Sequence, residues 1–132
     1  SVVAAAHAGW RGLLAGVLES AVGAMQVVPK NILAWLGPAI GPACFEVGSE
    51  VRDAFVAGDP AASLAFTPRA DGHGKWLCDI YLLARQRLQR LDITAISGGE
   101  ACTVSGGDRF FSYRRDGVTG RMASLIWLER AA

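Results

Sequence analysis

The feature that most constrains this chain is its opening. Ser1-Val2-Val3-Ala4-Ala5-Ala6 carries no charged side chain and leads directly into His7-Ala8-Gly9 and then a helical pattern. A short apolar run of this kind reads as a fully buried strand, followed by a tight turn and a helix. A buried strand needs neighbours and a covering layer of helices, which points to an α/β fold. Chain termini usually lie at the surface, so a central strand at residue 1 implies that something precedes it in the parent protein.

The rest of the chain extends this pattern. Trp10, Leu13, Leu14, Val17, Leu18, Ala21, Val22 and Met25 recur at helical spacing and predict one helix, ended before Pro29. Asn31 to Leu36 is an apolar run of strand length. Gly37-Pro38-Ala39-Ile40-Gly41-Pro42 reads as a loop. Phe45, Val47, Val51 and Phe55 predict a short helix closed by Gly58-Asp59-Pro60, and residues 60–74 read as an exposed connection. Trp76 to Leu91 is the best helix, with Leu77, Ile80, Tyr81, Ala84, Leu88 and Leu91 on one face and Arg85, Arg87, Gln89 and Arg90 turned outward. Ile93 to Ser97 predicts a strand. Phe110 to Arg114 and Gly120 to Leu128 predict a hairpin around Asp116-Gly117. The expected class is α/β, a mixed sheet with flanking helices.

Composition narrows the function. The chain has 132 residues, 52% of them hydrophobic and 19% charged, with a formal net charge of +1. That suits a well-buried domain and gives no strong field for nucleic acid or anionic membrane. Apolar runs are broken well short of the roughly 18 residues that a spanning helix needs. No basic stretch leads into an apolar run and a cleavage site. Three widely spaced cysteines form neither a disulfide framework nor a CxxC knuckle, so a cytoplasmic location is expected.

Chemistry concentrates at two places. His7 ends the first predicted strand where a helix begins, the edge at which α/β sheets bind ligands. A helix start also offers free N–H groups to an anion. Imidazole is a common metal ligand and general base. The alternative is a histidine that only hydrogen-bonds a backbone carbonyl. Partners are scarce: the only other histidine is His73, and no short spacing supports a set of His7, His73 and a cysteine as zinc ligands. Cys44 facing His7 would make a nucleophilic pair. The alternative for Cys44, Cys78 and Cys102 is burial as small hydrophobes. The second place is Phe110-Phe111-Ser112-Tyr113-Arg114-Arg115-Asp116-Gly117. Two adjacent arginines on a strand point to opposite faces, one free to hold carboxylate or phosphate. A salt bridge to Asp108, Asp116 or Glu129 is the competing reading.

His7-Ala8-Gly9-Trp10-Arg11-Gly12, the Gly-Pro loop with Cys44-Phe45-Glu46-Val47, Cys102-Thr103, and Phe110 to Gly117 with Thr119-Gly120-Arg121 together resemble the YfiH-type laccase-domain family. The order and spacing match along the whole chain, and Trp76 to Arg87 resembles the family's long helix, with Asp79 at its acidic position. The resemblance implies a YfiH-like layered fold of which residues 1–132 are the C-terminal portion of a single domain, its N-terminal half absent. It implies a metal site, usually zinc, built from two histidines and a cysteine. His7 matches one of those histidines; the others belong to upstream Val-His-Gly and Ala-Asp-Cys motifs that this chain does not contain. Cys44 and His73 match no ligand position.

For the full-length parent the resemblance implies a zinc-dependent enzyme acting on purine nucleosides with phosphate. The implied reactions are phosphorolysis of adenosine, inosine, guanosine or methylthioadenosine, and deamination of adenosine. His7 would be both metal ligand and catalytic residue, and Arg11 and Arg114 would contact substrate or phosphate. One ligand cannot hold a zinc ion, so the isolated chain is expected to lack the site and the activity. A copper-dependent polyphenol oxidase is the first rival; a multicopper site would call for many histidines. A non-enzymatic scaffold pairing through an exposed strand edge is the second. No nucleic acid or membrane partner is expected, and the sequence does not fix an oligomeric state.

Overall fold

The computed structural model describes residues 1–130. It contains an α/β arrangement with two small sheets. Helices α1 (Trp10–Leu14) and α2 (Val17–Met25) come first, then strands β1 (Ala34–Leu36) and β2 (Glu46–Gly48) and helix α3 (Ser49–Gly58). Strands β3 (Phe66–Pro68) and β4 (Lys75–Cys78), helix α4 (Ile80–Arg90), strand β5 (Ile96–Gly98) and a single turn α5 (Tyr113–Asp116) follow. β1 and β5 run parallel, whereas β2, β4 and β3 form an antiparallel sheet in that order. Mixed pairing is thus present, divided between two sheets. No helix among the described residues is long and apolar enough to cross a membrane.

Local chemistry sets the element ends. The single helix expected over 10–25 is broken at Gly16, which adopts φ +92, and α2 stops at Gln26, also in the left-handed region, before Pro29. α4 starts later than its apolar pattern suggests. Trp76, Leu77 and Cys78 belong to β4, and Asp79 then caps the helix, its Oδ1 accepting the Leu82 N–H at 2.9 Å. Arg87 and Arg90 lie at the helix C-terminus, where the dipole favours cations.

The core unites both sheets. Leu13, Phe45, Val51, Phe55, Phe66, Cys78 and Leu83 are buried in one cluster. Ile32, Leu88 and Ile93 form a second, and Leu18 and Leu36 pack against both. Fully burying one such side chain is worth about 1.5–3 kcal/mol.

Further expectations are corrected, the short helix read from Phe45 and Val47 among them, since Glu46–Gly48 is β2 and α3 starts only at Ser49. Residues 60–74 are not a bare connection: Pro60–Ala65 forms a 3-10 helix, β3 follows, and Ala62, Ala65 and Phe66 are buried. Small side chains let this segment press against α3 without any visible periodicity. Ser1 to Ala6 forms no strand and is exposed, because no neighbouring strand among the described residues supplies hydrogen bonds to it. Gly120 to Leu128 is likewise unpaired and exposed, Leu125, Ile126, Trp127 and Leu128 included. Phe110 to Arg114 is not a hairpin strand. The Ser112 hydroxyl accepts the Arg115 N–H at 3.2 Å and turns the backbone into α5.

Candidate functional site

The carboxyl ends of the parallel pair β1 and β5 carry two loops, the Gly-Pro loop after β1 and the turn after β5. Ligands in α/β folds gather at this edge. Gly98 and Gly99 take φ +77 and +81, and a Cβ on Gly98 would overlap the Leu36 carbonyl oxygen, so only glycine lets β5 turn away here. Parallel pairing resumes beyond the turn, where Ala39 bridges Cys102 and the Thr103 N–H donates to the Ala39 carbonyl at 2.9 Å.

One side chain of α4 ties the two loops together. The buried Tyr81 hydroxyl accepts the Ala39 N–H at 2.6 Å and donates to the Ala101 carbonyl at 2.8 Å. Burial pushes its pKa up, and the hydrogen bond from Ala39 opposes that only in part. Arg85, one helical turn later, donates to the Gly98 carbonyl at 2.5 Å. Neither role shows in a sequence that merely places Tyr81 on the apolar face and Arg85 outside.

The two arginines of the predicted strand separate by task. The Arg115 guanidinium donates to the carbonyls of Thr103 (2.9 Å), Val104 (3.1 Å) and Phe110 (3.0 Å) and pairs with Asp116 at 2.7 Å. It fastens the 103–110 turn. The Asp116 carboxyl is held below its usual range by that guanidinium. Arg114 is exposed, lies 5.9 Å from the Phe45 ring centroid and makes no ion pair among the described residues, which leaves its charge available to an anion.

His7 is exposed and lies back on the chain; a Cβ on Gly9 would stand 3.2 Å from its Nε2. Gly9 precedes α1 in extended conformation, with no side chain capping the first turn. Arg11 stacks 4.5 Å from the Trp10 ring centroid. Ala8, Trp10 and Ile40 pack on the same cluster as Phe45, so the His7 segment and the Gly-Pro loop share one core cluster, and Arg114 lies over the Phe45 ring at its surface. Among the described residues no hydrogen bond joins Cys44 to His7, and the Cys44 thiol lies beside Cys102 instead. His73 sits in an exposed turn with its N–H directed at Asp71.

Among the described residues no three or more His, Cys, Asp and Glu side chains cluster closely enough to hold a metal ion. His7 brings one imidazole where zinc takes about four ligands, so these residues do not by themselves fit a zinc or copper ion. A hollow of about 290 Å³ lined by Pro42, Asp79, Tyr81, Leu82, Arg85 and Gly99 lies beside the loops. It falls just below the roughly 300–1,000 Å³ of small-molecule sites. Another of about 400 Å³ between Phe111, Tyr113 and residues 117–122 includes none of the predicted site residues.

The family model for multi-copper polyphenol oxidoreductase laccase matches residues 1–129. Purine nucleoside phosphorylase YfiH of Escherichia coli is 62% identical over 126 residues, covering 96% of this chain and 51% of that protein. A purine nucleoside phosphorylase of Haemophilus influenzae is 56% identical over 127 residues, 96% of this chain and 52% of that protein. The crystal structure of Neisseria meningitidis protein NMB0706 superposes with a TM-score of 0.90 at 54% identity, covering 95% of this chain and 51% of that one. The chain spans about half the length of the curated relatives it matches.

Proposed function

The chain belongs to the multi-copper polyphenol oxidoreductase laccase family, and from that membership we propose that the whole protein is a zinc-dependent purine nucleoside phosphorylase. The observation that carries this reading is the 62% identity to an Escherichia coli protein named for that activity. The substrates are a purine nucleoside and phosphate, with adenosine, inosine, guanosine and methylthioadenosine as the class and deamination of adenosine as a side activity. In phosphorolysis a phosphate oxygen bonds to the ribose anomeric carbon. The bond from that carbon to the purine nitrogen breaks, and the departing base takes up a proton.

His7 is assigned as metal ligand and catalytic residue, its partners lying in sequence that the relatives have and this chain does not cover. Arg114, exposed at the loop edge, and Arg11, beside His7, are assigned to phosphate, which guanidinium groups bind through paired hydrogen bonds. Residues 1–132 are then the C-terminal portion of one domain, and on their own they bind zinc weakly and turn over no nucleoside.

The test is to incubate the whole protein with inosine and phosphate and to measure ribose 1-phosphate by chromatography. Product formation that falls at least about 100-fold in His7→Ala supports the assignment, the scale expected when a metal ligand or acid–base group is lost. Unaltered turnover in that variant would refute the role of His7. The family description favours one second reading, copper-dependent oxidation of phenols. Phenol oxidation that tracks copper loading, without nucleoside turnover, would establish it in place of the first.

A further inference from the structure

The loops at the carboxyl edge bring two thiols together, and nucleoside chemistry uses neither. Gly41 is buried, and a Cβ there would stand 3.0 Å from the Cβ of Cys102 and 3.3 Å from its Sγ. The absence of a side chain at Gly41 is what lets the two loops close on each other. Cys44 follows three residues on, its N–H donating to the Gly41 carbonyl at 3.0 Å, which places its thiol beside Cys102. The Cys102 Sγ also accepts the Ser105 N–H at 3.4 Å, in a turn closed by the Gly106 N–H on the Cys102 carbonyl. Both cysteines are half-buried and free, whereas Cys78 is fully buried in the core.

The environments of the two sulfurs differ in the sense that thiol chemistry requires. Burial raises the Cys102 pKa, but hydrogen bonds from the Ser105 side chain and from the N–H groups of Ser105, Gly41 and Val104 more than offset it and bring it down to about 6. Interaction with the Cys102 sulfur pushes the Cys44 thiol up, with burial adding to the effect. One partner is therefore a thiolate at neutral pH while its neighbour keeps its proton. Tyr81 is the other titratable group facing Cys102, and its hydroxyl is engaged by Ala39 and Ala101.

We propose that Cys44 and Cys102 form a redox-active dithiol site that reduces hydroperoxides, with Cys102 as the attacking sulfur and Cys44 as the resolving one. The Cys102 sulfur attacks the terminal oxygen of the hydroperoxide: an S–O bond forms, the O–O bond breaks, and the alcohol or water leaves with a proton. Cys102 has then lost two electrons and is a sulfenic acid. The Cys44 sulfur attacks it, an S–S bond forms, the S–O bond breaks, and the oxygen departs as water with the Cys44 proton. A small dithiol reductant returns both thiols by exchange and leaves as its own disulfide.

The experiment treats the reduced whole protein with stoichiometric hydrogen peroxide and maps its cysteines by mass spectrometry of non-reduced peptides. A Cys44–Cys102 linked peptide that disappears after treatment with dithiothreitol, with Cys78 still a thiol, is the expected result. In Cys44→Ser, Cys102 is expected as a sulfenic acid captured by dimedone; in Cys102→Ser, Cys44 is expected to remain a thiol. At pH 7 a haloacetamide is expected to label Cys102 roughly fivefold faster than Cys44, the gain in thiolate being partly offset by lower nucleophilicity. Circular dichroism confirms that each variant is folded; where Cys102→Ser is not, the wild-type map and Cys44→Ser decide. Both cysteines still as thiols after peroxide, or Cys102 passing to sulfinic acid with no linked peptide, overturns the proposal.

Discussion

Replacing Tyr81 with phenylalanine removes one oxygen and keeps the ring, so it isolates what the hydroxyl does at the loop edge. The hydroxyl accepts the Ala39 N–H at 2.6 Å and donates to the Ala101 carbonyl at 2.8 Å. Each ordinary hydrogen bond contributes about 0.5–1.5 kcal/mol net, and a buried donor left unpaired costs about 1–3 kcal/mol. Among the described residues the Ala39 N–H makes no other close hydrogen bond, but the parallel bridge to Cys102 holds it near the Ala101 carbonyl, and both residues are half-buried, so the two groups can partly re-pair with each other or with water. The expected loss is therefore about 1–2 kcal/mol, the net worth of the two hydrogen bonds that the hydroxyl makes. Urea titration of the whole protein should show a lower midpoint with an unchanged slope, the mark of altered stability rather than altered compactness. Hydrogen exchange supplies the local reading: the Ala39 amide should lose protection while Leu83 and Leu88 in α4 keep theirs. A loss below about 0.5 kcal/mol, the range of indifferent surface changes, would refute the reasoning. So would an Ala39 amide that exchanges no faster.

Other perturbations separate the remaining contributions. Leu13→Ala empties a fully buried position and should cost about 3–5 kcal/mol in the same titration. Gly98→Ala forces a Cβ onto the Leu36 carbonyl at positive φ and should cost more than about 2 kcal/mol, whereas Gly58→Ala, with open space around it, should be nearly neutral. Asp79→Ala removes the α4 cap and should cost about 1 kcal/mol, largely recovered in Asp79→Asn. The rate of Cys102 alkylation should climb through pH 6 and level off by neutrality, because its pKa is about 6. That pKa is depressed on folding, so the thiolate adds stability above the unfolded cysteine value, and this stability is lost as pH falls toward 6. Cys78, pushed up to about 12 by burial, should resist the reagent in the native state.

Periodicity revealed those parts of the fold whose burial repeats with a helical period. α4 is the plainest case, since Tyr81, Ala84 and Leu88 recur at that spacing and are buried. It failed where three or four residues make a strand. β2, β3 and β4 are too short to alternate visibly, and β4 was absorbed into the helix pattern because Trp76 and Leu77 happen to continue the spacing of Ile80. The segments 1–6 and 120–130 carry a strand-like composition, yet a strand is made by its neighbour's hydrogen bonds, which no composition supplies. Of the residues proposed for the site, His7, Arg11 and Arg114 stand out in the sequence as residue types in motifs. The division of labour between Arg114 and Arg115 does not, because Arg115 acts on backbone carbonyls that carry no sequence signal. Cys44 and Cys102 read as unrelated thiols until the parallel pairing of β1 with β5 set their loops side by side.

That parallel pair also orders events in time. Ala34 and Ser97 meet across 63 positions of sequence, whereas the antiparallel sheet joins β2, β4 and β3 within the stretch from Glu46 to Cys78. Closing a longer loop costs more chain entropy before any contact repays it, and distant pairings slow folding. The antiparallel unit with Phe55, Phe66 and Cys78 can therefore condense early, while the edge that carries Tyr81's two partners assembles late. A chain caught before β5 docks would already shield Cys78 yet hold Cys44 and Cys102 apart, so the reactivity of its three thiols would serve as a clock for the final stage of folding.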